Sequence, residues 1–156
     1  MEIKELLSPE AVVPHLKATS KKQLLQELAS RAAALTGLSE RRIYETLNER
    51  ERLGSTGMGQ GIAIPHSRFA GIERITGMFA RLDAPIEYDA MDDQPVDLVF
   101  LLLAPEGAGA DHLKALARVS RLLRNQPVCE KLRAASQSAA LYALLTDPIA
   151  SASQAA

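Results

Sequence analysis

Asp97-Leu98-Val99-Phe100-Leu101-Leu102-Leu103-Ala104-Pro105 is the stretch that decides the fold, because residues 98–104 are apolar without interruption. A strand with one face in water alternates apolar and polar side chains, whereas a strand covered on both faces has no need to. The run is short for a buried helix and is bracketed by Pro95 and Pro105, so it reads as a strand in the middle of a sheet. It is also far too short to span a bilayer. A strand of this kind needs helical layers above and below it, and the rest of the chain must supply them.

Upstream, Ser20-Lys21-Lys22-Gln23 has the form of a Ser-x-x-Gln capping box. Leu24, Leu25, Leu28, Ala32 and Leu35 follow at helical spacing, and Gly37 supplies a stop. Ser39 opens a second helix with Ile43, Tyr44 and Leu47 on its inner face, and Gly54 ends it. Downstream of the apolar run lies a flexible loop, 106–110, and Asp111 is the expected N-cap of the next helix. That helix is expected to turn Leu113, Leu116, Val119, Leu122 and Leu123 inward, and Lys114, Arg118 and Arg121 outward. Shorter helical segments follow near 128–134 and 138–145. Further strand candidates are Ile62-Ala63-Ile64, stopping at Pro65-His66, then 74–82 and 86–88, the last two separated by Asp83-Ala84-Pro85. Helices first, strands in the middle and helices last predict an α/β fold. It is a single three-layer domain over residues 1–150, a mixed sheet between helical layers, with a frayed tail at 151–156.

Composition narrows the function. The chain has 156 residues, long enough to bury a core without disulfide or metal staples. Lacking Trp, it must fill that core with Leu, Ile, Val and Ala. Eighteen basic residues against nineteen acidic ones argue against a general polyanion binder, and so against nucleic acid. Cys129 is the single cysteine and reads as a buried structural thiol in a short helix. No signal-peptide pattern opens the chain and no apolar stretch suits membrane insertion, so the expected location is cytoplasmic.

Chemistry points to the histidines. From Gly54 the chain reads Gly-Ser-Thr-Gly-Met-Gly-Gln-Gly, a loop of unusual backbone geometry that leads into a strand ending at His66. His112 follows the central strand and a second glycine-containing loop, at the first turn of a helix. Strand ends meet at one edge of an α/β sheet, where ligands bind, so the two can converge there. His15, between Pro14 and Leu16, carries no such setting. The glycines lack the Gly-Lys-Ser/Thr ending of a P-loop, and they precede the strand where a dinucleotide fingerprint would follow one. A metal-dependent hydrolase using His66, His112 and Asp111 is an alternative, but no third ligand stands at diagnostic spacing. A non-catalytic binding module is another.

The string Arg50-Glu51-Arg52-Leu53-Gly54-Ser55-Thr56-Gly57-Met58-Gly59-Gln60-Gly61-Ile62-Ala63-Ile64-Pro65-His66 closely resembles the active-site signature of enzyme IIA proteins. These are the mannitol/fructose-type IIA family of the bacterial phosphoenolpyruvate phosphotransferase system. The family's second signature is matched by Pro95 through Pro105 followed by Asp111-His112-Leu113, and the resemblance covers roughly residues 6–145. It implies that His66 accepts a phosphoryl group from a phosphocarrier protein of the HPr type and that His112 stabilises it. Arg50 would neutralise its charge, with Ser55 and Thr56 at hydroxyl positions beside the site. Backbone N–H groups of Gly57, Gly59 and Gly61 are candidate phosphoryl donors, and Arg68 is a candidate partner-docking residue. Neither cofactor nor metal is implied. A free-standing domain with Ser55 before Thr56-Gly57 is most similar to the nitrogen-regulatory branch, whose phosphorylation state would control partners such as potassium-transport or sensor-kinase proteins. A sugar-specific IIA component passing phosphate to a IIB domain is the alternative.

Overall fold

The structure, a computed structural model, describes residues 1–147, so the predicted tail 151–156 and the end of the expected domain lie outside the described residues. Two short elements open the chain, the helix α1 (Ile3–Leu6) and the strand β1 (Val12–Leu16). Two longer helices follow, α2 (Lys21–Thr36) and α3 (Glu40–Arg52). Next come five strands: β2 (Gly57–Gly59), β3 (Ile62–Ala63), β4 (His66–Phe69), β5 (Thr76–Ile86) and β6 (Val96–Pro105). Helices α4 (Gly109–Arg124), α5 (Gln126–Ala134) and α6 (Ser138–Thr146) complete the described chain.

The capping residues behave as their chemistry requires. Ser20 accepts from Gln23 N at 3.1 Å, although the Gln23 side chain reaches back to Thr19 N at 2.6 Å rather than to Ser20. Gly37 closes α2 in the left-handed conformation, φ 78°, with its N–H on Ala33 O. Ser39 caps α3 by accepting from Arg42 N. Asp111 departs from expectation. Helix α4 begins at Gly109 behind Ala108, no side chain caps it, and Asp111 lies inside the first turn. The two glycines of the loop let the chain coil three residues sooner than an Asp111 cap would have allowed. Leu113 is a second departure, 66% exposed near the N-terminal end of α4.

Strand β6 is central, as its apolar run requires. It pairs antiparallel with β5 (Phe79↔Phe100) on one side and parallel with β3 (Ile62↔Leu98) and β4 (His66↔Leu102) on the other. Strand β1 lies parallel to β5 at one edge, and β2 pairs antiparallel with β3 at the other, so the sheet is mixed. Leu98 through Ala104 are all buried, so both faces of β6 are covered. Each such leucine contributes roughly 1.5–3 kcal/mol.

Three strand boundaries differ from the sequence reading. The predicted gap at Asp83-Ala84-Pro85 lies within β5, where the register against β6 slips between Arg81 and Ile86. The glycine-rich segment is a tight hairpin of β2 and β3, not an open loop. His66 opens β4 instead of trailing a finished strand. Residues 62–69 run beside β6 in one unbroken register, and Pro65, which has no N–H to give the ladder, splits them into β3 and β4.

Candidate functional site

Strand period and sheet register together bring three of the predicted residues to one place. His66 and Arg68 are two apart on β4 and share a face, while Phe69 turns the other way into the core. Strand β6 leaves the sheet at the same edge, and a short loop delivers the first turn of α4 with His112. The imidazole rings of His66 and His112 stand 5.6 Å apart, centroid to centroid, at an interplanar angle of 71°.

The protonation pattern follows from the partners. His66 Nδ1 lies 2.7 Å from the Ile64 carbonyl oxygen. A carbonyl only accepts, so Nδ1 carries the proton and Nε2 carries the lone pair. His112 Nδ1 lies 3.4 Å from Arg68 Nε, which can only donate. His112 Nε2 is buried and has no hydrogen-bond partner among the described residues. Burial holds the His66 pKa below its ordinary value and the Arg50 charge adds to this, against the Ile64 carbonyl and Glu51, which raise it. Burial likewise lowers His112, helped by His66 and Arg68. Both imidazoles are therefore neutral at physiological pH, which leaves a ring nitrogen available as a nucleophile.

Arg50, in the last turn of α3, is half-buried and donates from Nη1 to Gly54 O at 2.9 Å. That bond aligns the guanidinium with the loop leading to the site. Ser55 and Thr56 face inward. Ser55 Oγ accepts from Gly57 N at 3.0 Å and donates to Tyr88 O. Thr56 Oγ1 donates to the buried carboxylate of Glu51 and lies 3.0 Å from Tyr88 OH. Since the threonine proton goes to the carboxylate, the tyrosine hydroxyl is the donor in the second bond. Thr56 N also donates to Glu51 Oε1, and Lys21 Nζ sits 2.9 Å from the same oxygen. Burial, with Glu51, pushes the Tyr88 pKa far up, so its hydroxyl stays protonated.

Glu51, Tyr88 and Lys21 are the residues that sequence reasoning passed over. One signal for Glu51 was present: it continues the four-residue spacing of Ile43 and Leu47, which places it on the buried face of α3. A buried carboxylate needs partners, and breaking such a pair costs about 3–5 kcal/mol.

The glycines have mixed roles. The N–H groups of Thr56, Gly57 and Gln60 are taken by Glu51, Ser55 and Asp92, so these three are not offered to an anion. Gly57 and Gly61 are needed for space. A Cβ on Gly57 would come within 2.7 Å of Ala90 Cβ, and one on Gly61 within 2.9 Å of Asp97 Oδ1. Gly61 also adopts φ +83°, and Gly59 φ +98°. Below Gly61, Arg133 of α5 binds Asp97 through Nε and Nη2 and donates to Gln60 O at 2.9 Å, clamping the hairpin turn to the central strand.

Other expected features are placed plainly. Cys129 is buried, donates to Leu123 O, and has its pKa raised by burial. No group of three or more His, Cys, Asp or Glu among the described residues is arranged to hold a metal ion, so the hydrolase alternative finds no ligand set. None of the described helices is long and apolar enough to cross a membrane.

Comparison with known proteins gives a concordant result. Residues 5–147 match the family described as "Phosphoenolpyruvate-dependent sugar phosphotransferase system, EIIA 2". The chain is 59% identical over 152 residues to the "Nitrogen regulatory protein" of Bradyrhizobium diazoefficiens, covering 97% of this chain and 99% of that one. The crystal structure of nitrogen regulatory protein IIA-Ntr from Neisseria meningitidis superposes with a TM-score of 0.88 at 39% identity, over 92% of this chain and 99% of the other. The crystal structure of IIA mannitol from Escherichia coli has a TM-score of 0.74 at 19% identity, over 88% and 97%, a likeness of fold alone.

Proposed function

The chain belongs to the EIIA 2 family of the phosphoenolpyruvate-dependent sugar phosphotransferase system, and from that premise we propose that it is a phosphohistidine carrier of the nitrogen-regulatory branch. In this reading His66 Nε2 takes a phosphoryl group from an HPr-like phosphocarrier. The observation that carries it is the 2.7 Å contact between His66 Nδ1 and Ile64 O, which commits the ring proton and leaves Nε2 as the nucleophile. As the Nε2–P bond forms, the donor's P–N bond breaks and its electron pair returns to the donor imidazole. Positive charge develops on the His66 ring, and the Ile64 carbonyl, already bonded to Nδ1–H, stabilises it.

Such a transfer depends on alignment and on charge stabilisation at the phosphoryl oxygens more than on acid–base chemistry. His112 supplies a side-chain donor from the first turn of α4, where no side chain caps the helix and the partial positive charge favours an anion. Arg50 supplies a permanent cation from the last turn of α3. The likeness to proteins named for nitrogen regulation favours a signalling use of the phosphate over relay to a IIB domain. A phosphoryl group adds about −1.5 to −2 charges at the site, enough to switch the docking of a regulated protein, such as a potassium-transport or sensor-kinase protein.

Incubation with phosphoenolpyruvate, enzyme I and an HPr-like carrier should place acid-labile, base-stable label on the wild type and none on His66→Ala. Equal labelling of both proteins overturns the proposal. For the branch, a pull-down with unmodified and phosphorylated protein should recover regulated partners in a state-dependent way. Efficient relay of the label to a sugar-specific IIB domain would instead assign the chain to sugar transport.

A further inference from the structure

Arg68 was expected at a docking surface, yet its guanidinium is turned toward a catalytic ring. Its Nε lies 3.4 Å from His112 Nδ1, across a separation of 44 residues in the chain. A guanidinium has no acceptor and does not lose its proton, so the imidazole nitrogen must be the acceptor whenever this contact is made. That assigns the single proton of neutral His112 to Nε2. His112 Nε2 is buried without a partner among the described residues, while His112 as a whole is 6% exposed. A buried N–H left unpaired is costly, and an incoming oxyanion is the acceptor that would satisfy it.

We propose that Arg68 is a positioning residue. By donating to His112 Nδ1 it holds the second histidine in the Nε2–H tautomer, with that N–H as the donor to the phosphoryl oxygens on His66. The alternative tautomer would present a lone pair to those oxygens and repel them. Protonation of His112 would put two donors face to face at Nδ1, so Arg68 opposes that state as well. The groups whose charge bears on His112 are Arg68 and His66, both from β4. This role rests on phosphorylation at His66, but its spectroscopic signature belongs to the unmodified protein and can be read without any partner.

The test joins that signature to a double-mutant cycle. In 15N-edited imidazole spectra of the unphosphorylated wild type, His112 should show a fixed Nε2–H tautomer with an acceptor-type Nδ1. Arg68→Met should average it toward the mixture of a free imidazole, and Arg68→Lys, which also can only donate, should restore it. Arg68 is exposed on its strand, so the backbone spectrum should report an intact fold in both variants. In transfer assays Arg68→Met should slow the wild type about tenfold and add nothing in a His112→Ala background, as expected for two residues acting as one unit. A proton found on His112 Nδ1 in the wild type, or a tautomer indifferent to Arg68→Met, overturns the proposal. So does equal slowing in the His112→Ala background, because Arg68 would then act on the phosphate directly. Failure of His66 to label, with the tautomer pattern intact, would remove the proposed function and leave this assignment standing.

Discussion

His15 and His66 both lie on strands and both bond through Nδ1, yet the structure leaves them with opposite prospects. His15 Nδ1 faces Asp83 Oδ1 at 2.9 Å and its Nε2 faces Ser136 O at 2.9 Å, so each ring nitrogen already meets an oxygen. His66 Nδ1 meets Ile64 O, and its ring stands 5.6 Å from that of His112, centroid to centroid. The first histidine is a tie between β1, β5 and the segment after α5. The second is the proposed nucleophile, its ring oriented by the Ile64 carbonyl. What a histidine can do is decided by what its second nitrogen faces, and that depends on tertiary structure.

The comparison breaks most sharply under exchange of the two for alanine. His66→Ala should lower phosphoryl acceptance by at least about a thousandfold, while His15→Ala should stay within about twofold, both read as initial labelling rates. A large loss in His15→Ala would mean that the tie reaches the site. His112→Ala should slow onward transfer about a hundredfold, the effect of removing one preorganised donor, while still accepting phosphate. Unchanged transfer in both directions would take His112 out of the mechanism. Arg50→Ala should cost about tenfold in acceptance, less than His112 because a half-buried guanidinium already bonded to Gly54 O acts by charge rather than by one directed bond.

Stability should reverse the ranking of the two histidines. His15→Ala loses two hydrogen bonds on a half-exposed side chain, which is expected to cost about 0.5–1 kcal/mol by denaturant midpoint. The smallest effect is on pH dependence. His66 and His112 are both held below the ordinary value of 6.5, so below that pH the unfolded chain binds protons that the folded one refuses. Wild-type stability should therefore fall as pH drops through 6.5 toward the folded values. A His66→Ala/His112→Ala protein should lose less over the same interval, and identical slopes would mean that neither ring is depressed.

Much of this molecule was legible along the chain. The apolar run 98–104 placed the central strand, and Ser20, Gly37 and Ser39 marked helix ends through local hydrogen bonds that any chain of this sequence can make. The four-residue spacing of Ile43, Leu47 and Glu51 held a further clue that hydrophobic pattern alone discards, because a carboxylate on a buried face looks like an error until its partners are known. Asp111 and Leu113 were misplaced for a related reason. Local propensity named the cap and the inward face, but α4 begins behind Ala108 and leaves Leu113 exposed.

By itself, then, the sequence determined the layers of the fold and family membership, and it singled out His66 and His112 as the candidate reactive pair, all from residue type and short-range spacing. The tertiary structure decided the rest. Pro65 splits a strand only because residues 62–69 run beside β6, and His66 stands beside His112 only because β4 and β6 share a register that ends at one edge. Arg68 meets His112, and Lys21 meets both Glu51 and Tyr88, across separations that no local pattern encodes. Hydrogen-bond direction is a property of pairs, so which nitrogen holds the proton and which holds the lone pair was settled only when the chain brought those pairs together.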